Sequence, residues 1–105
     1  MKKIILLIIM LSQQVFAGVN YETYVFSGKI YEITSIPEGL LIRLENGDKP
    51  TTCPKNVDWM LIPQSSKVIL AVTLAHWYQK KRIVDVYVEP YAGTYYCKVT
   101  QVQPK

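Results

Sequence analysis

The chain begins with two lysines, Lys2 and Lys3, followed by an unbroken apolar run over residues 4–11. Val15-Phe16-Ala17 then places small or short side chains where a signal peptidase reads. This pattern predicts a secretory leader over residues 1–17, removed from the mature chain. The apolar run is far shorter than the roughly 20 residues needed to cross a bilayer. An uncleaved anchor helix is the competing reading, and no cysteine near the cut offers a lipid anchor. Later in the chain the longest apolar stretch, residues 68–78, is interrupted by Thr73 and His76.

Beyond the leader the pattern breaks into short pieces. Residues 24–36 are rich in aromatic and β-branched side chains and read as a strand. Pro37-Glu38-Gly39 is a turn signal. Residues 40–45 form a second strand, with Leu40, Ile42 and Leu44 on one face and Arg43 and Glu45 on the other. Asn46-Gly47 turns the chain again. A polar loop with Pro50, Cys53 and Pro54 leads to a third strand over residues 57–62, which Pro63 ends. Ser65 or Ser66 is a candidate N-cap for a helix over residues 67–81, whose end carries Lys80, Lys81 and Arg82. Residues 82–89 alternate, with Val84, Val86 and Val88 on one face. After a turn over residues 90–93, residues 94–102 form the last strand, with Cys97 and Val99 on one face.

The order is three strands, one helix, two strands. That is the plan of a mainly β fold, a five-stranded OB-fold barrel with one helix between strands 3 and 4. An open α+β sheet is the alternative. Without its leader the chain keeps 88 of its 105 residues, one domain over residues 18–105. A core this small is marginal alone. Cys53 and Cys97 are the only cysteines. In an oxidising compartment they form a disulfide, and the loop they close is worth about 4 kcal/mol in the chain-entropy model. Metal ligation is the alternative, and one histidine with two distant cysteines makes a poor site.

The helix carries more apolar surface than a small barrel needs. On a helical wheel Leu70, Ala71, Leu74, Ala75 and Tyr78 form a core stripe. Val68, Ile69 and Val72 fall on the other side, among Thr73 and His76, and predict burial against a second copy of the chain. A homo-oligomer is therefore expected, with Val68, Ile69 and Val72 at its interface.

Charge and chemistry narrow the picture further. Losing Lys2 and Lys3 lowers the net charge from +4 to +2, too weak for nucleic-acid binding, which an exported protein rarely meets. His76 is the only histidine, and the eight acidic residues are scattered. No nucleophile–base pair, phosphate loop or metal spacing is present, so no enzyme, cofactor or metal is expected. Aromatic residues give the positive signal. All eight tyrosines and both tryptophans lie beyond the leader, and Tyr91, Tyr95 and Tyr96 cluster at the last turn. Such side chains join an apolar body to a polar tip and suit recognition surfaces.

Cys53, Trp59, the helix pattern Leu70-Ala71 and Leu74-Ala75 ending in Tyr78, Val84/Val86/Val88 and Cys97 together resemble the B subunits of subtilase cytotoxin and typhoid toxin, members of the AB5 toxins. They resemble equally a group of short exported bacterial proteins. The likeness covers residues 26–102. It implies an OB-fold, a ring of five copies, binding to cell-surface glycan, and a possible catalytic A subunit as partner. It also implies a glycan-binding role for Ser27, in Phe26-Ser27-Gly28-Lys29-Ile30. The chain differs from those subunits in lacking a second disulfide near its C-terminus. The competing function is a periplasmic protein-binding module, such as an inhibitor of a cell-wall enzyme.

Overall fold

The computed structural model describes residues 18–80 and 82–105; the expected leader, residues 1–17, lies outside them, as does Lys81. Among the described residues six strands form one sheet: β1 Val19–Asn20, β2 Tyr24–Ile36, β3 Gly39–Leu44, β4 Trp59–Pro63, β5 Ile83–Glu89 and β6 Lys98–Pro104. One helix, α1 Lys67–Tyr78, joins β4 to β5. The expectation of a mainly β chain with one helix and one disulfide holds. Four of the expected strands agree within two residues at each end, the last starts four residues later than expected, and β1 is an addition.

The strands lie in the order β1-β2-β3-β4-β6-β5, and β5 also pairs with β2. All pairings are antiparallel except β4 with β6, where Leu61 stands opposite Lys98. There the Leu61 N–H donates to the Cys97 carbonyl at 3.0 Å. β2 pairs with β1, β3 and β5, and it reaches both β3 and β5 because it bends. Its first half pairs with β5 through Val25↔Val86 and Gly28↔Val84, and its second with β3 through Ile33↔Ile42 and Ser35↔Leu40. Irregularities between Val25 and Gly28, and between Ile30 and Glu32, supply the bends. A bulge adds a residue to one strand and turns it away from its neighbour. Ser27, with φ of 56°, sits in the first.

The period-two pattern built the core. Val25, Ile30, Ile42, Leu44, Met60, Ile62, Val84, Val86, Val99 and both cysteines are buried together. Cys53 and Cys97 are bonded, with Cα atoms 5.0 Å apart, and no free cysteine remains. Asn46-Gly47 makes the expected turn as part of a tight 3-10 turn, with both residues at positive φ. Gly39 opens β3 under a backbone constraint. A Cβ there would overlap the Ile62 carbonyl oxygen and stand 2.8 Å from Gln64 N. β6 starts at Lys98 rather than Thr94 because residues 94–96 turn on the Thr94 hydroxyl.

The helix corrects one expectation. It starts after Ser66, whose hydroxyl makes no capping bond, and ends at Tyr78. Its buried residues are Thr73 and His76, with Ile69, Leu70 and Trp77 packed against the core. Ala71, Leu74, Ala75 and Tyr78, expected in the core stripe, are exposed, and only Leu70 of that stripe faces inward. His76 decides the rotation: its Nε2–H donates to the Ile83 carbonyl at 2.8 Å, tying the helix to the start of β5. An apolar wheel on all sides carries little information about which side turns inward.

Candidate functional site

The turn between β5 and β6 brings the expected tyrosines to one cleft. Thr94 organises it. The Thr94 hydroxyl donates to the Tyr96 carbonyl (2.8 Å), with that of Tyr91 at 3.0 Å, and accepts the Tyr96 N–H (3.2 Å). Gly93 supplies the positive φ the reversal needs, with nothing near its open side. The turn folds toward the loop holding Thr52, Cys53 and Pro54, and the disulfide joins the two. Between them lies an open cleft of about 270 Å³, walled by Tyr91, Tyr96, Thr94, Thr52, Pro54 and Pro90 among others. Lys98 Nζ stands 5.6 Å from the Tyr91 ring centre and 3.6 Å from Glu89 Oε1. Tyr95 is on the same turn but is 81% exposed and does not line the cleft. Tyr91 and Tyr96 are therefore brought together at the cleft, and Tyr95 stands outside its lining.

Ser27 is elsewhere. Its N–H donates to Asp85 Oδ1 at 2.8 Å, and Lys105 Nζ bonds the other oxygen of that buried carboxylate at 3.2 Å. Asp85 is four residues along β5 from Glu89, where the tyrosine turn begins, or about 13 Å away. Ser27 and the tyrosine turn thus form two separate places on the surface.

Of the expected interface residues Val68 is 77% exposed, Val72 is half-buried, and Ile69 packs on the core. The exposed apolar stripe on α1 is instead Val68, Ala71, Leu74, Ala75 and Tyr78, with Leu74 38% and Tyr78 80% exposed. No charged side chain interrupts it. On the buried side Thr73 Oγ1 has no hydrogen-bond partner among the described residues.

Strand register creates aromatic groups that sequence spacing hid. Tyr24 stands opposite Tyr87, and the rings of Tyr21, Tyr24 and Tyr87 stack at centroid separations of 4.4 and 5.1 Å. Arg43 lies 5.3 Å from the Tyr31 ring centre and 5.1 Å from that of Trp59, and pairs with Glu32. Lys105 Nζ covers Phe26 at 3.9 Å. The cross-strand pairing, unreadable from spacing along the chain, brings Tyr24 to Tyr87 and Arg43 to Glu32 and Trp59.

A third feature is a lysine inside the 48–58 loop. Lys49 Nζ donates to the carbonyls of Pro54 (2.9 Å), Lys55 (2.8 Å) and Val57 (2.8 Å), and reaches Asp58 Oδ1 at 3.1 Å. It holds the loop that walls the tyrosine cleft. On the loop's other side a second open cleft of about 270 Å³ is lined by Asn20, Gly47, Lys49, Thr51 and Lys55 among others.

Among the described residues no group of three or more His, Cys, Asp or Glu side chains could hold a metal ion. No helix among them is long and apolar enough to cross a membrane. Comparison of the chain with protein-family models, curated proteins and solved structures finds no match in any of the three.

Proposed function

We propose that this chain is an exported, non-enzymatic binding protein that takes glycan in the cleft of Tyr91 and Tyr96 and associates with its own copies through α1. The observation that carries the reading is the cleft itself. Two tyrosines stand on a turn fixed by Thr94 and stapled by the disulfide to its opposite wall. Aromatic faces pack against the C–H faces of a sugar ring, and tyrosine and threonine hydroxyls bond its hydroxyls. A pre-shaped cleft spares the ordering cost of binding. The resemblance to toxin B subunits adds cell-surface glycan as the source. The sheet supports an OB-type barrel: β2-β3-β4-β6-β5 returns to β2, β4 meets β6 in parallel, and the helix falls between β4 and β5.

Self-association rests on the outer stripe of α1. Ala71 and Ala75 are small, and Val68, Leu74 and Tyr78 flank them, so a second helix can approach closely. A ring of five, and an A subunit seated on it, follow from the resemblance alone.

The test is a glycan array on the native protein beside its mass in solution. Binding to a defined glycan that Tyr91→Ala abolishes supports the reading. An array without signal, with capture of one purified cell-wall enzyme and loss of that enzyme's activity, favours the inhibitor instead. A monomer by light scattering overturns the oligomer.

A further inference from the structure

Gly18 is the first residue after the expected cut, and the fold places it against a carboxylate. The segment over residues 18–24 runs beside the 48–53 loop. The carbonyls of Tyr21 and Glu22 accept the N–H groups of Thr51 and Thr52, each at 3.0 Å. At the head of that segment Asp48 packs on the Gly18 backbone. A Cβ on Gly18 would overlap Asp48 Oδ2 and stand 2.9 Å from its Cγ, so only glycine permits the approach. Asp48 has no cation: no lysine or arginine among the described residues lies within 4 Å of it. Its polar neighbours are the Asn20 side chain and the Glu45 carboxylate, whose own partner is Lys29 at 3.8 Å. Burial holds the Asp48 carboxyl above the ordinary aspartate value, the Asn20 side chain pulls it back, and the Glu45 charge adds to the rise.

We propose that cleavage between Ala17 and Gly18 creates the missing cation, and that the new α-ammonium of Gly18 docks on Asp48 and ties β1 to the loop leading to Cys53. The inference rests on the export reading. Water is the one co-reactant of the cleavage. The C–N bond breaks, the water oxygen adds to the Ala17 carbonyl carbon, and both water hydrogens pass to the Gly18 nitrogen, leaving a carboxylate and an ammonium. An export endopeptidase is the catalyst. The Gly18 nitrogen is about 1.46 Å from the Cα that Asp48 already touches. Once it is no longer acylated, rotation about the Gly18 Cα–C bond can swing it toward the carboxylate.

The consequence is a stabiliser that appears only after the leader is gone. An exported chain must stay unfolded until it has crossed the membrane. Neither this ion pair nor the disulfide is available before then. The loop that Asp48 begins walls the tyrosine cleft through Thr52 and Pro54, so processing also firms the binding site.

The experiment compares a chain beginning at Gly18 with one retaining residues 15–17, which carries its ammonium up to about 10 Å farther along. Each is made with Asp48 and with Asp48→Asn. The Gly18 chain is expected to melt about 4–8 °C higher than the longer one. Asp48→Asn lowers the melting temperature of the Gly18 chain, by removing an ion pair. It raises that of the longer chain, by removing a part-buried carboxylate without a cation. Equal melting of the two Asp48 chains, or a shift of the same sign in both on Asp48→Asn, overturns the docking. In the unmutated Gly18 chain an NMR titration reads the amine directly, facing Asp48 and Glu45, with Lys29 behind Glu45. A value above the usual α-amino value of about 8 supports the contact, and an unshifted one overturns it. N-terminal sequencing of exported protein tests the cut separately. Gly18 as first residue supports it, and any other first residue removes processing as the source of the amine.

Discussion

Replacing Lys49 by methionine keeps the apolar stem and deletes the ammonium. The side chain is only 15% exposed, and Nζ is shared among three backbone carbonyls and the Asp58 carboxylate. A hydrogen bond to a charged group is worth about 1.5–3 kcal/mol when its loss leaves a buried partner unpaired. Of the three carbonyls, that of Val57 is in the more buried setting, and those of Pro54 and Lys55 can recover water. Counting the first in full and the others in part gives a loss of about 3 kcal/mol. Asp58 adds little: its side chain is nearly half exposed, and exposed pairs contribute about 0–1 kcal/mol. For a domain of this size the melting temperature of Lys49→Met should fall by about 15 °C. Thermal unfolding followed by circular dichroism measures it, with calorimetry to check two-state behaviour. Lys49→Arg should recover little, because a planar fork cannot converge on carbonyls gathered around one point. Melting of Lys49→Met within about 3 °C of the parent would refute the reasoning. So would an equal loss from Asp58→Asn, which would put the energy in the ion pair.

Three further outcomes are expected. Tyr91→Ala and Tyr96→Ala should each weaken glycan binding at least about tenfold, a loss of about 1.4 kcal/mol, with little change in melting; Tyr95→Ala, outside the cleft lining, should have the smallest effect in the same calorimetric titration. Leu74→Glu combined with Tyr78→Glu should leave a folded monomer, read by light scattering beside an unchanged circular dichroism spectrum; a persisting oligomer would move the interface off this stripe. Gly39→Ala forces a Cβ into the Ile62 carbonyl and should cost more than about 3 kcal/mol, read as a collapse in melting temperature or in soluble yield.

Much of the fold was legible because its signals are local. Alternation found β5 and most of β3 from Val84/Val86/Val88 and Leu40/Ile42/Leu44, and Asn46-Gly47 marked its turn without help from distant residues. Two cysteines and an expected oxidising destination were enough to pair Cys53 with Cys97. The pair Val19–Asn20 was not legible: two residues carry no period, and β1 exists only because the 18–24 segment meets both β2 and the 48–53 loop. The site was half legible. Tyr91 and Tyr96 are near neighbours on one turn, so spacing alone grouped them. Ser27 entered by resemblance alone, with no position relative to the tyrosines, and the register of β2 on β5 sets it against Asp85. Tyr24 and Tyr87 are distant in sequence, and their stacking is a product of that same register.

The helix shows why hydropathy was insufficient there. When nearly every position from Val68 to Tyr78 is apolar, turning the helix about its axis exchanges one greasy face for another. Burial then changes little, and at about 25 cal/mol per Å² the difference between faces is small. A polar group with a specific partner can outweigh it. His76 finds the Ile83 carbonyl, and Arg82 Nε finds the Trp77 carbonyl at 3.1 Å with its guanidinium over the Trp77 ring. Both contacts join α1 to the start of β5, and the first requires the His76 side chain to face inward. Thr73, one turn before His76, is carried into the core with it and leaves its hydroxyl unpartnered. The most hydrophobic reading of the wheel therefore lost to two hydrogen bonds at the end of the helix, and Leu74 and Tyr78 were turned outward as a result.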